Sequence, residues 1–417
     1  MIAGDSDLTA RFAHAMDHLA PDRPTRLGIA VSGGGDSMAL MHLAHQWCGA
    51  ELHVATVNHG LRPEAGHEAE FVAQAAQALG LKHTTLHWQS WEKRGNLQDA
   101  ARNARRHLLT AWAQRERLQC VLLGHTQDDQ AETFLMRLAR GSGVDGLAAM
   151  VPAQTADGLH WLRPLLNFSR SELRDWLRAS QIAWVDDPSN DDTGFDRIKA
   201  RQALDTLASM GLTRARLSET AARMTDARAV LDAAAANAAH DICRFEHGDF
   251  VFDTARLDAL PQDTRYRLVA RAVCEISSNA YRPRLSALRK AMTSASATVH
   301  GCLITRGARD LRITREANAV RDLRTPLCEW WDGRWQVLRP DDQHAAPHLC
   351  IGPLGEAGLQ HCNDRTGWRL PRASLLASPA VWDGTRLIAA PLAGFAPEWR
   401  ICVREPPESL PRGPYSH

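Results

Sequence analysis

The sequence predicts an α/β fold with a doubly wound, mostly parallel sheet, followed by a helical middle domain and a small β-rich C-terminal domain. Strand and helix signals alternate over the first half, helical periodicity dominates residues 197–294, and short β segments follow residue 299. Alternating signals of this kind are typical of a parallel sheet with helices on both faces. We expect domains at residues 1–210, 211–320 and 321–417.

The first domain has the most regular pattern. Strand signals predict strands at 27–31, 51–57, 82–87 and 119–124, and a weaker one at 159–163. Apolar residues at helical spacing predict helices at 36–47, 64–79, 97–117 and 127–139. In the middle domain, the Ala-rich stretch 220–239 predicts a long helix. Beyond residue 299, β segments are expected at 303–305, 311–314, 335–338 and 387–389.

Composition limits the class of protein. The 417 residues carry a formal net charge of +1, which excludes a globally cationic nucleic-acid coat. Basic residues are concentrated locally: residues 197–228 contain seven Arg or Lys against three Asp or Glu, and residues 256–290 contain eight against three. Any RNA-binding surface is therefore expected to be local.

The cysteines indicate a reducing compartment. Nine cysteines are scattered without a C-x-x-C pair, which argues against a zinc ribbon or a cysteine-ligated cluster. An odd number in a chain without a signal peptide fits reduced thiols. No apolar run is long enough to cross a bilayer. We expect a cytoplasmic protein.

A glycine loop between the first strand and the first helix carries the strongest functional signal. Residues 32–37 read Ser-Gly-Gly-Gly-Asp-Ser. Backbone N–H groups of such a turn, at a helix N-terminus, form a cradle for phosphate. No Lys follows the glycines, so the loop is not a Walker A motif. Asp36 beside a polyphosphate implies Mg²⁺; the alternative is a tight turn in which Asp36 caps the helix.

A second acidic cluster begins the helix expected at 127–139. Thr126 and Asp129 have the spacing of a capping box, while Asp128 and Glu132 are four residues apart and share one helix face. Because the cap uses one carboxylate, we expect Asp128 and Glu132 to be free to bind a metal or an ammonium group. The alternative is simply a well-capped helix with an acidic first turn.

Two pairs of arginines are spaced by about one helical turn. Arg102 and Arg105 follow the start of one predicted helix, and Arg197 and Arg201 follow the turn 187–192. Such pairs are either anion-binding or a solvated basic face. Six tryptophans between residues 330 and 399 are expected to be core residues, with stacking on RNA bases as the alternative.

Taken together, these blocks resemble a known family. The loop 32–37 resembles the PP-loop of N-type ATP pyrophosphatases, which cleave ATP between the α- and β-phosphates. The order and spacing of the blocks resemble the bacterial tRNA(Ile)-lysidine synthases: Val57-Asn-His-Gly-Leu-Arg62, the helix start 96–105, His125-x-x-Asp128-Asp129-Gln130-Ala-Glu132-Thr133, Arg140-Gly-Ser-Gly143, Arg163-Pro-Leu-Leu166 and Asp187-Pro-Ser-Asn190.

The resemblance implies an adenine nucleotide α-hydrolase-like fold and a reaction. The wobble cytidine of tRNA(Ile) with a CAU anticodon would be adenylated by ATP and then joined to L-lysine, with release of pyrophosphate and AMP. Residues 1–210 would be catalytic, whereas 211–320 and 321–417 would bind tRNA. The family also suggests a monomer or a homodimer.

The resemblance assigns roles to individual residues. The residues implied to bind ATP are Ala30, Ser32, Gly33, Gly34, Gly35, Asp36, Ser37, Asn58, His59 and Gly124, with Asp36 also holding Mg²⁺. The residues implied in catalysis or lysine binding are Asp36, His125, Asp128, Asp129 and Glu132. Contacts to RNA or to the adenylate are implied for Arg102, Arg105, Arg140, Arg197 and Arg201.

Other functions are compatible with this phosphate loop. A tRNA 2-thiolation enzyme would need reactive cysteines near the site, and no suitable pair is visible. A non-catalytic ATP- or RNA-binding protein would have no need of the acidic cluster. GMP and asparagine synthetases have the same loop type, but the sequence contains no amidotransferase domain.

Overall fold

The chain folds into two compact units, Met1–Arg228 and Ala229–His417. The computed structural model describes residues 3–47, 49–60, 65–88, 97–156, 158–186, 196–279, 281–340 and 348–405. The domain boundaries expected near residues 210 and 320 stay predictions.

The first unit is built on a six-stranded sheet in the order β3-β2-β1-β4-β6-β5. All neighbouring strands are parallel except β5, which pairs antiparallel with β6. The five predicted strands are confirmed. The additional strand, β5, is exposed and lacks an apolar run, so only its pairing with β6 defines it. The strands are β1 (Arg26–Ala30), β2 (Glu51–Asn58), β3 (Lys82–His87), β4 (Cys120–Leu123), β5 (Ala153–Ala156) and β6 (Leu159–Leu162).

Helices cover both faces of this sheet, as the alternating pattern predicts. One hydrophobic cluster includes Phe12, Leu40 and Leu177 on one face, and another is centred on Trp112 on the opposite face. The helices wholly within this unit are α1 (Ala3–Leu19), α2 (Gly35–Trp47), α3 (Ala65–Ala78), α4 (Leu97–Arg115), α5 (Gln127–Ala139), α6 (Val144–Leu147), α7 (Arg170–Ala179) and α8 (Asp196–Ala208), while α9 (Arg214–Ile242) begins in it and ends in the second unit. The helices α1 and α7 are not predicted by the sequence analysis.

The strand order positions a ligand crevice. The chain places β2 and β4 on opposite sides of β1, so the carboxyl ends of β1 and β4 lie side by side at the point where the winding reverses. Open α/β sheets bind ligands at this position. The glycine loop 32–37 follows β1, and Gly124 and His125 follow β4.

In the second unit, the end of α9 is followed by a five-stranded antiparallel sheet in the order β7-β8-β11-β10-β9. Helix α11 packs on it through Leu268 and Val273, which share a core with Phe250, Ile304 and Ile313. The elements are β7 (Cys243–Glu246), β8 (Asp249–Asp253), α10 (Thr254–Ala259), α11 (Gln262–Ser277), α12 (Leu285–Thr293), β9 (Ser296–Val299), β10 (Cys302–Arg306) and β11 (Asp310–Arg315).

The hairpin β7–β8 corrects the helical pattern expected over residues 197–294. Buried Cys243 and Phe245 alternate with Arg244 and Glu246, which is strand periodicity. The turn residues His247 and Gly248 both have positive φ, at 44° and 87°. A two-residue turn of this type matches the twist of a hairpin. The alternating residues and the glycine are enough to predict a hairpin, but the helical periodicity on both sides favoured a helix.

The remaining chain forms two smaller sheets around a tryptophan-rich core. Trp331, Trp335, Trp382 and Trp399 are buried, which confirms the core interpretation for these four, whereas Trp330 is 47% exposed. The elements are α13 (Ala317–Val320), β12 (Thr325–Pro326), β13 (Trp335–Leu338), β14 (Leu349–Pro353), α14 (Gly355–Leu359), α15 (Arg372–Leu376), β15 (Pro379–Asp383), β16 (Arg386–Ala389) and β17 (Arg400–Val403). Among the described helices, none has the length and apolarity needed to span a membrane.

Candidate active site

The glycine loop turns the chain from β1 into α2. Gly33 has a φ of +92°, a conformation that side-chain-bearing residues rarely adopt. The Ser37 hydroxyl donates to the Gly34 carbonyl at 2.9 Å and accepts from the Ser32 N–H at 3.1 Å, which closes the loop. Because the first N–H groups of a helix have no partner within it, the start of α2 presents donors and partial positive charge to the crevice.

The end of β4 lies directly against this loop. A Cβ atom on Gly124 would be 3.2 Å from Ser37 Cα and 3.3 Å from the Asp36 carbonyl oxygen. Only glycine therefore fits without displacement of the backbone at the start of α2. Gly124 thus sets the spacing between the phosphate loop and the residues that follow β4.

Helix α5 begins with the predicted capping box, which is confirmed. The carboxylate of Asp129 accepts from the Thr126 N–H at 2.8 Å, and the Thr126 hydroxyl accepts from the Asp129 N–H at 3.4 Å. The reciprocal bonds satisfy two of the free donors at this helix end. They also orient the other oxygen of Asp129 away from its own helix, toward Arg170.

Arg170, at the start of α7, joins the acidic residues of two other helices, α2 and α5. Its guanidinium lies 3.0 Å from Asp36 Oδ2, 3.2 Å from Asp129 Oδ1 and 3.4 Å from Glu132 Oε1. Its backbone N–H donates to Asp128 Oδ2 at 2.8 Å. The side chain is only 20% exposed, so these ion pairs are poorly screened by water. Arg170 is absent from the residues that the sequence assigns to the site.

Two more arginines complete this group, which we call the Arg170 cluster: Asp36, Asp128, Asp129, Glu132, Arg170, Arg201 and Arg214. Arg201 Nε lies 3.0 Å from Glu132 Oε1, and Arg214 Nε lies 3.2 Å from Asp128 Oδ1. The expectation that Asp128 and Glu132 are free is therefore wrong. Their partners come from other helices, so no local pattern in α5 could reveal them.

Within the cluster four carboxylates face three guanidinium groups, and the charge of Arg197, which lines the same cavity, also acts on Asp129. Burial raises the pKa of Asp36, although Arg170 acts in the opposite direction. Burial alone would also raise the pKa of Asp129, but the charges of Arg170 and Arg197 and the hydrogen bond from the Thr126 N–H outweigh it and lower that pKa.

Two carboxylate oxygens in the cluster are buried without a partner among the described residues, namely Asp36 Oδ1 and Glu132 Oε2. A buried, unpaired carboxylate oxygen is costly unless a ligand completes it. Asp36 Oδ1 adjoins the phosphate loop, where Mg²⁺ with one protein carboxylate and phosphate oxygens fits its usual chemistry. The described residues contain no group of three His, Cys, Asp or Glu side chains arranged to hold a metal alone.

The loop and the cluster open into one cavity of about 940 Å³. This cavity brings together twelve of the residues that the sequence assigns to the site: Ala30, Ser32, Gly34, Gly35, Asp36, Ser37, Arg105, Gly124, His125, Asp128, Arg197 and Arg201. Its remaining wall is formed mainly by α7 and the segment that follows it, through Arg170, Ser171, Arg174, Asp175, Arg178, Val185 and Asp186.

Other assigned residues lie outside the cavity lining. His59 lines a neighbouring cleft of about 140 Å³, which shares Ala30, Ser32 and Arg105 with the cavity. Asn58 stabilises its own turn by accepting from the Gly60 N–H at 2.8 Å. Asp129 and Glu132 are not among the residues that line the cavity. Gly33 turns the loop, Arg102 is exposed, and Arg140 pairs with exposed Asp196.

Some sequence predictions fall outside the described residues: Leu61 and Arg62, Asn96, and the turn 187–192. Conversely, the sequence analysis missed helix α7 and its arginines. A signal was present, because Ser169 and Glu172 form a capping box with the spacing of a helix start. A search for that spacing would have placed Arg170 at the first position of a helix.

Comparison with known proteins identifies the family. A model of the PP-loop domain matches residues 6–207. The chain is 47% identical to a tRNA(Ile)-lysidine synthase of Ruegeria pomeroyi over 93% of each chain. It is 35% identical to a tRNA(Ile)-lysidine synthase of Wolbachia pipientis wMel, over 79% of this chain and 80% of the relative. The chain belongs to the tRNA(Ile)-lysidine synthase family.

Among solved structures, the chain is similar to a U34-tRNA thiolase, NcsA, from Methanococcus maripaludis with its [4Fe-4S] cluster. The TM-score is 0.46 and the identity 15%, over 52% of this chain and 78% of that chain. The predicted family resemblance is confirmed by the curated relatives, and the parallel α/β sheet with additional β-rich sheets confirms the predicted fold class.

In this lysidine synthase family member, His125 is held in its neutral form. Burial lowers its pKa to about 3, and the positive charge of Arg163 acts in the same direction. Its Nδ1 is buried without a partner among the described residues. A group with so low a pKa takes up a proton poorly near pH 7, so His125 is better suited to hydrogen bonding than to general-base catalysis.

We predict that His125 does not titrate between pH 5.5 and 8. Its imidazole carbon-2 proton, assigned in NMR spectra by its loss in His125→Gln, is expected to keep a constant chemical shift over this range. The same proton in the urea-unfolded chain is expected to titrate near pH ~6.5. A midpoint near 6.5 in the folded protein would contradict the buried, neutral state.

Proposed function

We propose that the 940 Å³ cavity is where this chain joins L-lysine to carbon-2 of the wobble cytidine of tRNA(Ile), using ATP. One observation carries the proposal: a phosphate-binding loop and an acidic cluster with an unmet need for a cation open into the same space. A polyphosphate and an amine are the two ligands that such a space accommodates together.

Family membership makes the chain an ATP-dependent enzyme of tRNA modification, with lysine and tRNA(Ile) as substrates. The 2-oxo oxygen of cytosine is a poor leaving group. Its attack on the α-phosphate of ATP releases pyrophosphate and converts the oxygen into an adenylate. The lysine ε-amine then attacks carbon-2, loses a proton and displaces AMP.

In this proposal the start of α2 binds the phosphates. The N–H donors of the loop point toward the leaving pyrophosphate, and Asp36 Oδ1 would hold Mg²⁺. The metal would supply charge neutralisation as pyrophosphate departs. Reaction at phosphorus needs chiefly positioning and charge compensation, both of which the loop provides.

Asp128 is the carboxylate of the cluster that we assign to lysine. It lines the cavity, whereas Glu132 is only 1% exposed and is held by Arg170 and Arg201. Carboxylate oxygens can accept more than one hydrogen bond, so Asp128 can bind an ammonium beside its arginine partners. It can then accept the proton that the attacking amine loses. Glu132 and Asp129 act as positioning residues.

Arg105 and Arg197, which line the cavity, are assigned to the tRNA backbone or to the adenylate. Exposed Arg102 is assigned to RNA near the rim, and Arg201 positions Glu132. Recognition of the CAU anticodon, tRNA binding by the second unit, a cytoplasmic location and a monomeric or homodimeric state stay predictions.

The thiolation alternative is disfavoured by the cavity itself. Thiolation needs reactive cysteines at the site, and none of the described lining residues is a cysteine. A purely binding function gives no reason for the two unpaired carboxylate oxygens of the Arg170 cluster, Asp36 Oδ1 and Glu132 Oε2.

We predict that Asp36→Asn abolishes lysidine formation while leaving the fold intact, because the amide keeps the shape of the side chain but not its charge. Protein, ATP, labelled lysine and bulk bacterial tRNA are incubated, and the digested RNA is analysed for a lysine-bearing nucleoside. AMP and pyrophosphate release are measured in parallel.

The matched control is Asp17→Asn, an exposed carboxylate paired with Arg23 and remote from the cavity. It is expected to retain wild-type rates. Lysidine formation by Asp36→Asn at more than about a tenth of the wild-type rate would remove Asp36 from the mechanism. ADP as the nucleotide product of the wild-type protein would overturn the proposed reaction.

We predict that Asp128→Asn raises the KM for lysine about tenfold or more and changes the KM for ATP by less than about threefold. The reason is the loss of one charge-assisted contact to the ammonium group. Steady-state kinetics with each substrate varied in turn measure the split. Equal increases in both KM values would contradict a lysine site at Asp128.

A further inference from the structure

Helix α7 contains three arginines at every fourth position, which we call the α7 arginine ladder: Arg170, Arg174 and Arg178. Residues four apart share one face of a helix. All three line the cavity that also contains the phosphate loop. The ladder therefore forms a basic wall about 12 Å long at 1.5 Å per residue, beginning at the Arg170 cluster.

Arg170, the first residue of the ladder, is held by ion pairs with carboxylates. Arg170 contacts Asp36, Asp129 and Glu132, and it would lose three ion pairs if it turned toward a phosphate. The breaking of buried pairs leaves uncompensated charge and is costly. Arg170 thus acts as a fixed structural cation.

Arg174 lies beside the phosphate loop itself. Its Cγ is 3.6 Å from the position that a Cβ atom on Gly35 would occupy, so its stem passes the first residue of α2. Its Nη2 pairs with Asp186 at 2.7 Å, while its Nε is buried without a partner among the described residues. A guanidinium has five N–H donors in a planar fork, so Arg174 keeps unused donors at the loop.

The carboxylate partners of the outer arginines are weakly held. Asp186 and Asp175, which pair with Arg174 and Arg178, are 66% and 71% exposed. Exposed ion pairs contribute little stability because water screens them. An incoming phosphate can therefore replace these carboxylates at low cost. Arg178 also lies over the Trp184 ring, 5.7 Å from its centroid, which keeps it on the cavity wall.

We propose that Arg174 binds the β- and γ-phosphates of ATP and then the pyrophosphate, and that Arg178 provides a second contact on the path by which pyrophosphate leaves. This inference rests on the proposed cleavage of ATP between the α- and β-phosphates. Two guanidinium groups beside the donors of α2 match the charge and the oxygen-rich surface of pyrophosphate.

The test measures inorganic pyrophosphate directly. Its dissociation constant, with Mg²⁺ present, is determined by calorimetry, and its inhibition constant against ATP is determined kinetically. The variants are Arg174→Gln, Arg174→Lys and Arg178→Gln. The control is Arg115→Gln, an exposed arginine at the end of α4 that pairs with Glu116 and lies outside the cavity lining. Thermal melts establish that each variant is folded.

We expect Arg174→Gln to weaken both pyrophosphate constants at least tenfold, Arg174→Lys to weaken them less, and Arg178→Gln to weaken them about threefold. AMP, which lacks the outer phosphates, is expected to bind every variant within twofold of wild type. Pyrophosphate constants for Arg174→Gln within twofold of wild type would overturn the inference, as would the absence of pyrophosphate inhibition in the wild-type protein.

Two further readouts distinguish the possible failures. If tRNA affinity falls in Arg174→Gln while pyrophosphate affinity does not, the ladder binds the RNA backbone and the inference is wrong. Lysidine formation by the wild-type protein is measured separately. Its absence would contradict the proposed function, whereas loss of pyrophosphate binding in Arg174→Gln would still support the ladder as a pyrophosphate site.

Discussion

The ion pairs of Arg170 hold the first unit's crevice together. One guanidinium at the start of α7 contacts Asp36 on α2 and both Asp129 and Glu132 on α5. Without it, three carboxylates would share a partly buried space and repel one another. With it, the phosphate loop, the capped start of α5 and the basic wall of α7 are fixed around one cavity.

The same interaction explains the chemistry that the cavity can support. Arg170, Arg201 and Arg214 pair with the four carboxylates of the cluster, whereas Asp36 Oδ1 and Glu132 Oε2 have no partner among the described residues. These two unpaired oxygens can accept one more cation without a large structural change. Beside it, α2 and the outer arginines of α7 supply positive charge for an anion. A phosphate-binding surface and a cation-binding surface thus lie on one cavity, as a reaction between ATP and an amine requires.

Interactions between residues close in sequence could be predicted, whereas contacts between residues far apart in sequence could not. The capping box of Thr126 and Asp129 spans three residues, and β1, β2 and β4 contain short apolar runs, so both are encoded in short windows. The Arg170–Asp36 pair spans 134 residues, and only the fold brings its partners together. The burial of Glu132 could not be predicted either, because a carboxylate on an amphipathic helix is normally exposed. The hairpin turn at His247 and Gly248 could have been predicted from its glycine and from the alternating residues before it, but helical periodicity dominates the surrounding sequence.

A double-mutant cycle between Arg170 and Asp36 tests the central interaction most directly. The free energy of unfolding is measured in guanidinium chloride for the wild-type protein, Arg170→Met, Asp36→Asn and the double variant. If the pair joins α7 to the phosphate loop, the double variant is destabilised by about 1–3 kcal/mol less than the sum of the single variants. Additivity within about 0.5 kcal/mol would show that Arg170 and Asp36 do not interact in the folded protein, and would contradict the account.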